Sequence, residues 1–183
     1  MIPSRLLLRT ARASDAPAIA RVMRAALMSH DWMPMVHTPD EYLAFISAKV
    51  LPEQKVTIAD WEGLLLGFVA IRDDWVEQVY REQFQQKCAA VLRSELRENK
   101  EIEHFRDSKK NGNVLYAQWT GLGIGTALLK SATGTLPVTK LFCFQANGGA
   151  RRFYERHGFR PEAFGDGSGD EEGLPDILYV RRT

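Results

Sequence analysis

Apolar positions along this chain change period several times, and each change marks an element. "RLLLRTA", Arg5 to Ala11, is a strand-length apolar run entering a turn. In "SDAPAIARVMRAAL" the residues Ile19, Val22, Met23, Ala26 and Leu27 recur at helical spacing. This predicts a helix with Ser14 as its N-cap and an acid in its first turn. A second helix start lies in "HTPDEYLAFISAKV", where Thr38 stands three residues before Glu41 and Pro39 occupies the first helical position. That is a capping box, with proline where its missing N–H has no intrahelical partner to lose. "KVTIAD" and "LLLGFVAI" read as two strands joined by the tight "WEG" turn, and "WVEQVY", Trp75 to Tyr80, as a further strand.

Residues 81–113 interrupt this order with dense charge of both signs and end in a turn-rich "KKNGN". Phe84, Cys88, Val91 and Glu95 fall on one helical face there, which predicts an amphipathic helical insertion. "VLYAQW" then reads as a strand, "GIGTALLKSATG" as a helix closed by Gly134, and "KLFCFQA" as a buried strand. "GARRFYERHG" predicts a helix that ends at Gly158 in the left-handed conformation. A glycine-rich acidic loop and a last strand, "ILYVRR", complete the chain. Strands adjacent early and separated by helices late imply an α/β protein with a mixed sheet.

Bulk properties narrow the function classes. With 183 residues the chain is long enough for one domain with a sizeable core. A formal net charge of +1 favours neither nucleic acid nor a membrane surface as partner. Cys88 and Cys143 form no CxxC pair and there is no His cluster at ligand spacing, so neither a disulfide framework nor a metal site is expected. The N-terminus lacks the apolar run of a signal peptide, and no segment reaches the roughly 20 apolar residues of a membrane helix. A cytoplasmic protein is the expectation.

The chemistry-bearing feature is "WTGLGIGTALLK", Trp119 to Lys130. A strand, a glycine turn and a helix start together make an anion site: free N–H groups at the helix N-terminus point outward, and the helix dipole favours negative charge. Glycines let such a backbone curl and let a ligand approach without Cβ atoms in the way. The spacing of Gly121, Gly123 and Gly125 is not a dinucleotide fingerprint, since Thr126 stands where a third glycine is required. Nor is there a P-loop lysine. Alone, the turn is compatible with a purely structural role.

About twenty residues on comes "FQANGGARRFYERHGF", Phe144 to Phe159. "TGLGIGTALL" together with "NGGARRFYERHGF", in this order and at this distance, resembles the GNAT superfamily of N-acetyltransferases. The opening "LLLRTARASDAPAIARVM" is similar to that family's first strand and helix, and "WMPMVHTPDEY" and "DGSGDEEGLPDILY" resemble a bacterial subgroup of it. The likeness spans nearly the whole chain apart from residues 81–113. It implies a single domain over residues 1–183, with a mixed, mostly antiparallel central sheet flanked by helices and 81–113 as an insertion within it.

What the resemblance implies for function is acetyl transfer from acetyl-CoA to a primary amine of a small molecule or peptide, by direct attack in a ternary complex and without a metal. The pyrophosphate would be held by the turn Thr120, Gly121, Leu122, Gly123, Ile124, Gly125 and Thr126, mostly through backbone N–H groups. Thr120 departs from the family's usual Gln or Arg and carries no charge. Asn147 matches the residue that bonds the pantetheine arm, with Ala150 beside it, although an Asn there also suits a helix cap. Tyr154 matches the tyrosine that protonates the departing thiolate, while its stripe with Ala150, Phe153 and His157 equally suits a core-facing helix. Arg151 and Arg152 are candidates for CoA phosphates or for solvated surface charge.

Glu77 resembles the strand glutamate that serves as general base, and a solvent-facing strand glutamate is its plainer alternative. His30 and His37 are rivals by intrinsic pKa, and Trp32, Met33 and His37 are placed along the acceptor side. Two strands compete for the catalytic position, residues 76–80 and 114–118. The insertion leaves open a lid, a homodimer contact or a solvated excursion. An alternative reading of the whole chain is a non-catalytic acyl-CoA-binding or sensor module of the same fold.

Overall fold

A computed structural model describes residues 6–81, 123–169 and 171–183. The amphipathic insertion helix, the strand "VLYAQW" and the turn residues Thr120, Gly121 and Leu122 lie outside the described residues. Strand β1 (Leu6–Thr10) leads through one 3-10 turn (Ala13–Asp15) into helix α1 (Ala16–Met28). Ser14 is therefore inside the turn rather than at the N-cap; Asp15 takes that position, with no side-chain cap bond. The Asp15 carboxylate instead accepts from Arg12 N–H at 2.7 Å and pairs with Arg9 at 2.8 Å, which holds its pKa below the usual carboxylate range. A cation within bonding distance outcompetes a local cap here, because a charge-assisted bond is about twice as strong as a neutral one.

Helix α2 (Pro39–Phe45) continues through a π-helical stretch, Ile46–Val50, and a last turn, Leu51–Glu53. Its start is the capping box that the sequence encodes: Glu41 N–H donates to Thr38 Oγ1 and Thr38 N–H to Glu41 Oε2 at 2.7 Å. Thr38→Ala is expected to cost about 1 kcal/mol, read as a fall of roughly 2–4 °C in melting temperature.

Strands β2 (Lys55–Trp61), β3 (Leu64–Arg72) and β4 (Trp75–Arg81) follow as an antiparallel meander. The β2–β3 turn has φ of 53° at Glu62 and 87° at Gly63, the left-handed pair that matches strand twist. Because β4 ends at Arg81, the charge-dense segment begins one residue later than its composition suggests. Helix α3 (Ile124–Thr133), strand β5 (Val138–Phe144), helix α4 (Gly148–Arg156), strand β6 (Arg160–Phe164) and strand β7 (Asp176–Arg182) complete the described elements.

The seven strands form one sheet in the order β1-β2-β3-β4-β5-β7-β6. Every neighbouring pair is antiparallel except β4 and β5. This is the mixed, mostly antiparallel sheet flanked by helices. Helices α1 and α2 bury Ile19, Val22, Ile46 and Val50 against Val56, Ile58 and Phe68 on one face. On the other, α3 and α4 bury Leu128, Leu129 and Tyr154 against Val69, Val76, Leu141 and Tyr179. Covered on both faces, β3 is buried without a break from Leu65 to Ile71, which explains its continuous apolar run.

The parallel pair is where the fold makes a site. β4 and β5 share a single register pair, Trp75↔Lys140, whereas β5 keeps seven with β7. At that junction Lys140 N–H donates to Asp74 O at 2.8 Å and Trp75 stacks on Phe142 at 5.4 Å. Past it the two strands are not paired with each other, and the backbone edges facing the gap are left to other partners.

Candidate active site

The gap between β4 and β5 widens into a cleft of ≈ 1240 Å³. Its walls are Val76 to Tyr80 of β4, Phe142 to Phe144 of β5, and the starts of α3 and α4. Gly123 is the N-cap of α3 with φ of 78° and ψ of 11°, the left-handed conformation that glycine adopts without strain. The first described bond of that helix runs from Ala127 N–H to Gly123 O at 2.8 Å, so the N–H groups of Ile124 and Gly125 precede it. They face the cleft end without intrahelical acceptors, where the helix dipole adds positive potential. A Cβ on Gly125 would lie 3.4 Å from the Phe153 ring, so α4 packs closely on the start of α3.

Thr126 lines the cleft, but its hydroxyl is committed elsewhere. His157 Nδ1 is 2.7 Å from Phe153 O and its Nε2 is 3.0 Å from Thr126 Oγ1. A carbonyl only accepts, so Nδ1 carries the proton, and in the neutral ring Nε2 accepts from the threonine hydroxyl. What Thr126 offers an anion is its backbone.

Asn147 and Ala150 come from the start of α4. Asn147 is its N-cap, and its Oδ1 accepts from Ala150 N–H at 3.0 Å. The capping role is thus realised, and the Asn147 amide nitrogen is left as a donor at the cleft wall. Arg151 is not a free phosphate ligand, since it donates to Gln145 O at 3.3 Å and to Tyr179 Oη at 3.5 Å. Among the described residues Arg156, which the motif does not single out, is the arginine that lines the cleft.

Tyr154 is buried on α4, ringed by Phe153 at 5.4 Å and Phe159 at 5.8 Å, and it lines the cleft. Burial pushes its hydroxyl pKa up, reinforced by nearby Cys143 and Tyr80. The Cys143 thiol, also in the wall, is raised by burial to about 12 and so stays protonated. A group in that state is a poor nucleophile.

Glu77 sits at a bulge. Opposite β3, Ala70 pairs with Gln78 and Ile71 with Val76, so Glu77 is the extra residue of β4. Bulges of this kind re-aim side chains and are frequent beside active sites. Glu77 lines the cleft and forms an ion pair with Arg72 at 2.5 Å. Its strand, residues 75–81, is β4 of the sheet, while the competing strand 114–118 lies outside the described residues.

The acceptor-side candidates form two groups of contacts. Trp32 stacks on His30 at 4.8 Å and meets Phe144 edge-on at 5.9 Å. His37 Nε2 lies 2.9 Å from Glu171 Oε2, and its ring meets Tyr42 at 5.7 Å. All of these line the cleft, as does Met33. Burial lowers the His30 pKa, which favours its neutral form. The sequence pattern did not reveal that the acidic loop after β6 reaches the cleft and His37, nor that Tyr42, Gln78 and Tyr80 belong to the wall. Among the described residues no group of three or more His, Cys, Asp or Glu side chains could hold a metal ion, and no helix is long and apolar enough to cross a membrane.

No protein-family profile matches the sequence, and no curated protein matches it. Solved structures do match in fold. The GCN5-related N-acetyltransferase of Rhodopseudomonas palustris superposes with a TM-score of 0.65 at 14% identity, over 100% of this chain and 99% of that one. The PaiA N-acetyltransferase of Thermoplasma acidophilum, solved in complex with coenzyme A, gives 0.62 at 14% identity over 97% and 99%. yncA of Salmonella typhimurium, solved with its cofactor acetyl-CoA, gives 0.59 at 17% identity over 98% and 94%. This chain has the fold of the GNAT acetyltransferases.

Proposed function

We propose that this protein transfers the acetyl group of acetyl-CoA to an amine. The observation that carries the reading is the cleft between β4 and β5. It opens where β4 and β5 part after one register pair, and its wall includes the helix start that Gly123 caps. A pyrophosphate suits the N–H groups of Ile124 and Gly125, supplemented by Arg156, and an amide-bearing arm suits the Asn147 amide and the facing edges of β4 and β5, which pair with each other at one position only among the described residues. Acetyl-CoA supplies an activated acyl group as a thioester: the amine nitrogen forms a bond to the carbonyl carbon, the carbon–sulfur bond breaks, and the sulfur leaves as thiolate.

The chain's own residues then have limited tasks. Glu77, or a water it orients, takes the proton that the amine must lose, and the ion pair with Arg72 fixes the position of its carboxylate. Tyr154 lines the cleft, and its role is at the leaving sulfur. Its pKa lies above 10, while an ordinary thiol has a pKa near 8.5. Complete transfer of the tyrosine proton to a thiolate is therefore uphill, and Tyr154 acts by donating a hydrogen bond as negative charge builds. Trp32 and His37 flank the acceptor.

Calorimetric titration with acetyl-CoA, paired with thiol release across a panel of amines, tests the reading. Binding with amine-dependent release is the expected result. Binding without release for any amine would favour the acyl-CoA-binding or sensor module, and no binding would remove both.

A further inference from the structure

One hydrogen bond at the proposed phosphate site can run in either direction, and a proton decides which. Thr126 is the third residue of α3 and lines the cleft with Gly123, Ile124 and Gly125. His157 is the C-cap of α4, and its ring reaches across to α3. Nδ1 lies 2.7 Å from Phe153 O, and Nε2 lies 3.0 Å from Thr126 Oγ1. A hydroxyl has a single hydrogen to donate. While the ring is neutral, Nε2 takes that hydrogen and Thr126 has only its backbone for an anion. A proton on Nε2 reverses the bond. The ring then donates from both nitrogens, to Phe153 O and to Thr126 Oγ1, and the hydroxyl hydrogen is released. No side chain has to move, because both distances suit a donating ring nitrogen.

The surroundings accommodate a positive ring without supplying its counter-ion. The C-terminal end of a helix favours a cation, and His157 stands at that end of α4. No ion pair among the described residues uses His157. The charged groups on the elements around it are committed or solvated. Glu155 accepts from Tyr179 Oη at 2.8 Å, and Arg181 of β7 donates to Thr133 O at 2.7 Å. Arg156 beside it on α4, Arg160 of β6, and Lys130, four positions after Thr126 on α3, are exposed. The anion that would complete the arrangement is one that enters the cleft.

We propose that acetyl-CoA binding takes up a proton at His157, so that the ring changes from acceptor to donor and the freed Thr126 hydroxyl donates to a pyrophosphate oxygen. The inference rests on the acetyl-CoA site described above and adds a pH dependence to it. One proton from solvent enters Nε2, and no covalent bond breaks. His157 is thus a positioning residue, acting on the phosphate through Thr126. Because the complex holds the extra proton, affinity is full at low pH and is lost as pH rises through the imidazole range, about pH 5 to 8.

Calorimetric titration of the full chain in two buffers of different ionisation enthalpy reads the proton uptake. Acetyl-CoA and its 3′-dephospho form are compared, since a phosphate monoester itself titrates near about pH 6 and would otherwise contribute. For the dephospho form, affinity is expected to fall about tenfold across the imidazole range, the worth of one bond to a charged oxygen. That factor corresponds to an uptake of at most about half a proton per ligand. His157→Gln, whose amide donates to Thr126 at any pH, and Thr126→Val, which has no hydroxyl, should each lose the uptake. Binding by the parent without uptake overturns the proposal while the acetyl-CoA site stands. So does undiminished uptake in either variant, and if one variant does not fold, the other and the parent decide. No binding of acetyl-CoA by the parent overturns the site itself, and the inference with it.

Discussion

Gly123→Val is expected to weaken acetyl-CoA binding by at least about a hundredfold. Gly123 has φ of 78°, a conformation that costs an L residue roughly 1–2 kcal/mol, and more when the side chain is β-branched. The cheapest relief is to rotate the peptide at the start of α3, which turns the N–H groups of Ile124 and Gly125 away from the cleft. Each bond lost to a charged group costs about 1.5–3 kcal/mol, so strain and lost donors together reach the stated factor. Gly63→Val is the control: φ is 87° there too, but the residue lies in the β2–β3 turn and does not line the cleft. It should lower the melting temperature and leave acetyl-CoA affinity intact. Equal affinities for Gly123→Val and the parent would remove the proposed phosphate site.

The second large effect belongs to Tyr154→Phe, expected to lower kcat about a hundredfold with little change in the KM for acetyl-CoA. The ring is buried among Phe153, Phe159 and Tyr179, and phenylalanine keeps that packing, so the melting temperature should move by no more than a degree or two. The lost hydroxyl would act only as charge develops on sulfur, and an interaction of that kind appears in kcat rather than in binding. The pH dependence follows with its sign. Because burial raises the Tyr154 pKa above its ordinary value near 10, the group remains protonated at neutral and mildly alkaline pH. It therefore contributes no fall in rate below about pH 10. A falling limb near neutrality that disappears in Tyr154→Phe would contradict the role, as would an unchanged kcat.

Much of the fold was legible because it is local. The capping box at Thr38, the turn at Gly63, the left-handed stop at Gly158 and the apolar run of β3 are decided within a few residues. Strand β6, "RPEAF", escaped sequence reading for an equally physical reason. It is an edge strand exposed along its whole length, so no alternation marks it, and Pro161 argues against a strand unless it lies at an edge. The Ser14 cap failed because Ala13–Asp15 closes a 3-10 turn ahead of the helix, and Arg9, six residues before Asp15, captures the carboxylate that then stands at the N-cap.

At the site the division is similar. The helix start at Gly123 and the Asn147 cap were readable, since both are properties of a helix start, while Thr120, Gly121 and Leu122 lie outside the described residues. Whether Tyr154 faces core or cleft was not, and it does both. The commitment of Thr126 to His157 spans 31 positions, and that of His37 to Glu171 spans 134. No periodicity encodes contacts of that length.

By itself, then, the sequence determined most of the described elements, the left-handed stop at Gly158 and the capped start of α2, because backbone sterics and capping act over one turn of chain. Only the tertiary structure decided that β4 and β5 part after one register pair, that a bulge places Glu77 at the gap, and that His37 meets Glu171 across 134 positions. Those are relations between distant segments, fixed by how two helical layers pack on opposite faces of one sheet.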